Sequence, residues 1–199
     1  MGKKPHLSDF FGPNAMKYEL DRNLKKLQYE TTLRSIELLN LNKNFPKSSK
    51  ILDIGCGTGW SMEVLLKSGY ENLVGIDLSD DMLEIARKKG FKVFKANIIK
   101  GTPFPDNHFN AAISISVINF IVENINTTSQ YILVCKKVSN EIYRILKPGG
   151  RAVIQFFKDS QLEKTLSSAF KHSGFDGFLV IDDENLRKEK RFFVIDKPK

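Results

Sequence analysis

The sequence predicts one α/β domain, a mainly parallel sheet with helices on both faces. Three observations carry this expectation. Short apolar strands alternate with helical segments from residue 51 onward, the pattern of crossover connections. One strand, ILDI (51–54), runs directly into the glycine turn GCGTG (55–59) ahead of a helical segment. The length, 199 residues, suits one sizeable core rather than two.

The elements follow in order. Residues 1–13 are expected to be irregular. From Asn14 to about Leu41, Tyr18, Leu20, Leu24, Leu27, Leu33, Ile36 and Leu39 recur at helical intervals. FPKSSK (45–50) reads as a loop, and this sets the expected division: an N-terminal extension over 1–45 and the main unit over 46–199. Strands are expected at 51–54, 73–77, 91–96, 111–116, 151–157, around 179–182 and at 191–196. Helices are expected at 61–69, 79–90, about 129–146 and about 160–172. The helix at 79–90 is the best marked: Ser79 can cap it, Asp80 and Asp81 fill its first turn, Arg87–Lys89 close it and Gly90 ends it. KPGG (147–150) is expected to end the helix before it. The last two strands, joined by a short connection, can pair antiparallel at one side of the sheet.

Composition narrows the function. The longest apolar run, AAISISVINFIV (111–122), is shorter than the ~20 residues of a membrane span. The N-terminus has charge without an apolar stretch behind it, so no secretory signal is expected. Cys56 and Cys135 are isolated, and His6, His108 and His172 are scattered; no metal site is expected. Both cysteines read as reduced and packed in an intracellular, cytoplasmic protein, or a nuclear one in a eukaryote. The net charge of +8 points to an anionic partner, nucleic acid foremost, or to lysine as a solubilising residue. The segment 87–100, RKKGFKVFKANIIK, holds six basic residues and no acidic one.

A strand ending in Asp53 and entering Gly55-Cys56-Gly57-Thr58-Gly59 lies where such sheets bind ligands. Glycine lets the backbone approach a ligand closely, and the helix behind it offers free N–H groups. The next strand ends at Asp77, 18 residues after Gly59 (77 − 59); a carboxylate there suits ribose hydroxyls. The spacing is GxGxG rather than the dinucleotide fingerprint GxGxxG, and no Walker lysine follows.

The combination LDIGCGTG…GIDLS resembles motif I and the acidic loop of class I S-adenosylmethionine (SAM) methyltransferases. That resemblance implies a Rossmann-like seven-stranded sheet with its last strand antiparallel, and SAM as cofactor. The blocks AISISVINF (112–120), GRAVIQFF (150–157) and HSGFDGFLVIDD (172–183), with KRFFVID after them, resemble the Bud23 family of 18S ribosomal RNA guanine-N7 methyltransferases. The resemblance runs from about Phe10 to the end. It implies that Gly55, Cys56, Gly57 and Gly59 line the methionyl group, that Asp53 orients the loop and that Asp77 holds the ribose. Leu78 would cover the adenine, with Asn97 and Ile98 beside it; Asn97 stands where the family usually has an acid. Ser114 would face the methyl-transfer pocket, and no general base is expected. Asn110 replaces an Asp common at the start of the fourth strand. Eukaryotic members carry a long basic tail beyond the point where this sequence ends in DKPK, which suggests an archaeal or reduced relative.

Guanine N7 carries a free lone pair, so alignment rather than proton removal is the expected task. SISVINF lacks the [ND]PP[YF] tetrapeptide of amino- and amide-methylating enzymes. Phe104 and Phe120 are candidates for stacking on a flipped base or for ordinary core packing. Arg87, Lys88 and Lys89 read either as a capped helix end or as phosphate ligands. The resemblance further implies ribosomal RNA as substrate. It also implies a Trm112-like small zinc protein as partner, paired through the edge strand Phe91–Asn97. Two other functions fit the same motifs: a small-molecule SAM methyltransferase, and a ribosome-assembly factor with little turnover.

Overall fold

The computed structural model describes residues 10–184, 186 and 189–199. Residues 1–9, part of the stretch expected to be irregular, lie outside the described residues.

The N-terminal helix expected over 14–41 is two helices, α1 (Pro13–Leu20) and α2 (Arg22–Asn40). Asp21 divides them. Its backbone is extended, and its carboxylate accepts the N–H groups of Asn23 and Leu24, so it caps α2. Then come β1 (Ile51–Ile54), α3 (Trp60–Lys67), β2 (Leu73–Asp77), α4 (Asp80–Lys88), β3 (Val93–Lys95) and β4 (Phe109–Ile115). The rest is α5 (Ile118–Val122), α6 (Thr128–Ile145), β5 (Leu146–Phe156), α7 (Ser160–His172), β6 (Asp176–Asp182) and β7 (Lys190–Asp196).

The strands form one seven-stranded sheet in the order β3-β2-β1-β4-β5-β7-β6. The first five run parallel, while β7 is antiparallel to both β5 and β6, as the fold class expected. Two boundaries differ from expectation. KPGG does not stand outside the sheet: β5 starts at Leu146, opposite Phe109, and the pairing resumes at Arg151 opposite Ala111, so KPGG forms a bulge. Strand β6 begins at Asp176, ahead of the apolar run that marked it.

Alternation along the strands divides the core. On β4, Ala111, Ile113 and Ile115 face α2, α3 and α4, packing with Leu39, Met62 and Leu83. Ala112 faces the other side, with Ile142 of α6 and Leu166 of α7. Cys56 and Cys135 are buried in these two separate clusters. The N-terminal helices are tied to the sheet through Arg151 on β5. Its guanidinium donates to the carbonyls of Leu38, Leu39 and Leu41 (3.1, 3.3 and 2.6 Å), capping the end of α2, and it pairs in a fork with Asp196 at 2.8 Å.

Candidate active site

A cavity of about 720 Å³ opens beyond the C-terminal ends of β1, β2 and β4. The strand order reverses between β1 and β4, so the cavity occupies the switch point of the sheet. Its size falls within the range of small-ligand sites.

The glycine turn forms part of the floor, but its glycines serve different purposes. All three have positive φ: 75° at Gly55, 53° at Gly57 and 88° at Gly59. A Cβ on Gly55 would stand 2.2 Å from a methyl of Val117, and one on Gly59 would stand 2.8 Å from the Phe91 ring. Those two are glycines because the protein packs against them. A Cβ on Gly57 would meet within 4 Å just the Met82 methyl, at 3.4 Å. Gly57 and Met82 both line the cavity, so that Cβ would fill ligand space. Nor does the turn present a row of open amides. Gly55 and Cys56 donate to Ile76 O, Gly57 to Asp77 and Gly59 to Cys56 O.

Two acids lie below, Asp53 buried and Asp77 half-buried. Asp53 pairs opposite Gly75 in the sheet register, which sets Asp77 one pleat further along the same face. The Asp53 carboxylate accepts a short hydrogen bond from Ser61 Oγ, on the first turn of α3. It therefore fixes α3 to β1 rather than orienting the glycine turn. Burial pushes its pKa up to about 7, the Ser61 bond opposing and the Asp77 charge adding. Asp77 lines the cavity and accepts from Gly57 N and Ser79 N, both at 2.9 Å. Burial raises its pKa, and these amides hold the rise in check.

Leu78, Asn97 and Ile98 also line the cavity. Asn97 Oδ1 accepts from Ile99 N at 2.9 Å and keeps a second lone pair, so Asn97 can offer a ligand both that oxygen and its amide N–H groups. Four expected site residues do not line the cavity: Asp53 and Gly59, placed above, and Cys56 and Ser114. Cys56 points away, its Sγ 2.6 Å from where a Gly75 Cβ would be, and burial pushes its thiol pKa well up. Ser114 is fully buried and donates to Ile54 O at 3.1 Å. The chain bends after β4, and it is Ser116, at φ 61°, that reaches the cavity, its hydroxyl and N–H held by Gln155 Oε1. Of the aromatic candidates, Phe120 lines the cavity. Phe104 does not; it packs against His108 and Phe109 beneath the β3 edge. In the basic run at the end of α4, Lys88 pairs with Glu84, and Lys89 with Glu19 and Glu63, each at 2.7 Å.

The roof was not legible as such. Tyr18 stacks on Trp60 at 4.3 Å and meets Phe10 edge-on, and Phe10 in turn meets Phe120. Ser79 Oγ donates to Phe10 O at 2.6 Å, and Gly12 N to Asp81 at 2.7 Å. The segment before α2 is thus fastened across the cavity to α4. Phe157 was also missed. Asn119 clasps its backbone through both N–H and C=O, which sets the ring at the cavity wall.

The residues fit SAM. A carboxylate with each oxygen taken by one N–H keeps a lone pair on each for a diol. Leu78 and Ile98 supply apolar surface for a purine. Lys17 places a cation on the cavity wall, opposite in sign to an amino-acid carboxylate.

The comparisons with known proteins agree with this geometry. Residues 52–154 match the family model described as a methyltransferase domain. The chain is 38% identical over 176 residues to the 18S rRNA (guanine(1575)-N(7))-methyltransferase of Saccharomyces cerevisiae, covering 85% of this chain and 61% of that protein. It is 34% identical over 205 residues to the 18S rRNA (guanine-N(7))-methyltransferase of Bos taurus, covering 97% and 70%. The chain thus spans between three-fifths and seven-tenths of these relatives' length. Its fold is similar to a chain from the complex between the Haloferax volcanii Trm112 methyltransferase activator and a methyltransferase. The TM-score is 0.65 at 16% identity, covering 93% of this chain and 98% of that one. The chain belongs to the SAM-dependent methyltransferases and, within them, to the family of the 18S rRNA (guanine-N7)-methyltransferases, the Bud23 family.

Proposed function

We propose that this chain methylates N7 of a guanine in small-subunit ribosomal RNA. The observation that carries the reading is the single cavity that joins Asp77 and Leu78 to Phe120 and Phe157, a nucleoside end and an aromatic end. Its relatives' names supply the base and the RNA.

When bound, SAM supplies an electrophilic methyl group on a sulfonium. In this reading Asp77 accepts the ribose hydroxyls, Leu78 and Ile98 flank the adenine, and Asn97 donates to its ring edge. Lys17 faces the methionyl carboxylate. Phe120 and Phe157 hold the target base by stacking. Guanine N7 brings its own lone pair, so no side chain has a proton to remove. Tyr18 suits a wall rather than a base: burial and the nearby Asp77 charge raise its pKa, and it stays a neutral donor. The roof of residues 10–21 excludes water and holds nucleophile and methyl in line.

The partner proposed is a Trm112-like small zinc protein at the free edge of β3. Two features support this. Among the described residues β3 has a strand neighbour on one side only, β2, and Phe94 on it is 36% exposed; such an edge accepts an added strand. Phe91 contributes less than expected, since it packs under Gly59. We also propose that residues 10–45, the described part of the N-terminal extension expected over 1–45, serve as the lid of the unit over 46–199. Among the described residues no helix is long and apolar enough to cross a membrane, and an intracellular place follows from the RNA reading.

The test is incubation of small ribosomal subunits with methyl-labelled SAM and the protein, with and without such a partner, followed by nucleoside analysis. Label in 7-methylguanosine of the small-subunit RNA is expected, with a higher yield when the partner is present. Label confined to small molecules, or absent, would refute the reading.

A further inference from the structure

The far end of the sheet carries a cluster that the cavity chemistry does not use. Lys50 immediately precedes β1, His108 precedes β4, Lys92 precedes β3, and Lys147 is the second residue of β5. Because these strands run parallel, all four residues gather at their N-terminal ends, opposite the cavity. Lys50 Nζ lies 2.5 Å from His108 Nε2. Asn110 Oδ1 accepts both Lys50 N at 3.0 Å and Lys147 Nζ at 3.3 Å. Among the described residues, no carboxylate lies within 4.0 Å of any of these four side chains. The nearby acids do not serve them: Asp106 is paired with Arg144, and Glu71, two residues before β2, is exposed and makes no ion pair with the cluster. Burial and the mutual repulsion of Lys50, Lys92 and Lys147 push the pKa values of Lys50 and His108 down. A neutral His108 then accepts from the Lys50 ammonium.

Three ammonium groups and an imidazole without a counter-charge make a site that an anion would stabilise. Asn110, at its centre, is an amide; a carboxylate in its place would supply the missing charge from within. The imidazole also stacks on the Phe104 ring, nearly parallel at 8° with centroids 5.9 Å apart, which keeps the cluster in place. We propose that Lys50, Lys92, Lys147 and His108 form a phosphate site that takes the backbone of an RNA strand passing the end of the sheet opposite the cavity. This rests on the RNA reading above, and it adds a second point of contact between enzyme and substrate.

The experiment uses the full chain and a single-stranded RNA oligonucleotide, with affinity followed by fluorescence anisotropy. The double variant Lys50→Gln/Lys147→Gln should bind RNA about tenfold more weakly near ~0.1 M salt. Its slope of log K against log salt should be shallower by about 1.4, at ~0.7 per lost cation. Asn110→Asp, which adds a charge without changing shape, should weaken RNA binding in the same direction. SAM affinity should be unchanged in both. In the wild type, RNA should shift the His108 side-chain NMR signals and raise its pKa, since an anion favours the imidazolium. Wild-type affinity and slope in the double variant would overturn the proposal. So would a His108 signal unmoved by saturating RNA, or one moved as far by an acidic protein at equal charge. Methyl transfer is not a readout here: RNA binding at this cluster without guanine methylation would sink the functional reading and leave this site standing.

Discussion

The two ends of the sheet solve the same electrostatic problem in opposite ways. At the C-terminal end, Asp53 is buried and Asp77 half-buried, and neutral donors satisfy them: a serine hydroxyl and two backbone amides. At the N-terminal end, Lys50, Lys92, Lys147 and His108 stay near solvent without a carboxylate. Desolvation raises the pKa values of the two acids and lowers those of Lys50 and His108. The first arrangement is preorganised and depends on single atoms. The second is spread over several side chains and screened by salt. Substitutions at the cavity should therefore act steeply and independently of salt. Those at the cluster should act gently and fade as salt rises.

The steepest effect is expected at Asp77. Asp77→Ala removes the diol acceptor and strands two N–H groups, and should weaken SAM binding about 100-fold by calorimetry. Retained affinity would move the ribose elsewhere. Gly57→Ala comes next. Its Cβ would stand in the cavity at a strained φ, so SAM affinity should fall about tenfold. Gly90→Ala, with φ 87° and nothing within 4 Å, should cost ~1 kcal/mol of stability and leave SAM affinity alone. Equal effects of these two on binding would mean that Gly57 matters for the turn and not for the ligand. Tyr18→Ala should loosen the roof by removing the Trp60 stack and weaken SAM several-fold, whereas Tyr18→Phe should bind as wild type.

The last effect is read on stability rather than on binding and concerns pH. Asp53 has a pKa of about 7 in the folded protein against an ordinary 3.8. Between these values the native state holds the extra proton, so stability falls as pH rises through that window, with a slope approaching ~1.4 kcal/mol per pH unit. Asp53→Asn should flatten that part of the stability curve in denaturant titrations. A slope unchanged in the variant would show that Asp53 ionises normally.

How much of this the sequence could tell depends on distance along the chain. The glycine turn, Asp77 and Leu78 were legible because strand, turn and next strand lie within 30 residues and follow one local grammar. Asn97 and Ile98 follow at the end of β3 and also reach the cavity. Ser114 was misplaced because a seven-residue β4 does not reveal where the chain bends, and the side chain facing the cavity comes two residues later. The run after it hid α5, too short to show a helical period. The break at Asp21 was hidden because leucines continue the helical spacing through it, although an Asp followed by two N–H groups is a cap in its own right. Phe10 fell in the stretch expected to be irregular and Tyr18 on a helix face, and only their tertiary contacts with Phe120 and Trp60 make them a roof. The lysine cluster was beyond reach, since its members are separated by up to 97 residues (147 − 50) and meet only through the sheet order.

The most direct test is a calorimetric titration of SAM into the purified wild-type chain, alone and with its partner. The account predicts saturable heat from one site per chain, lost with Asp77→Ala while the circular dichroism of the variant stays native. Folded wild-type protein that takes up no SAM in either form would contradict it.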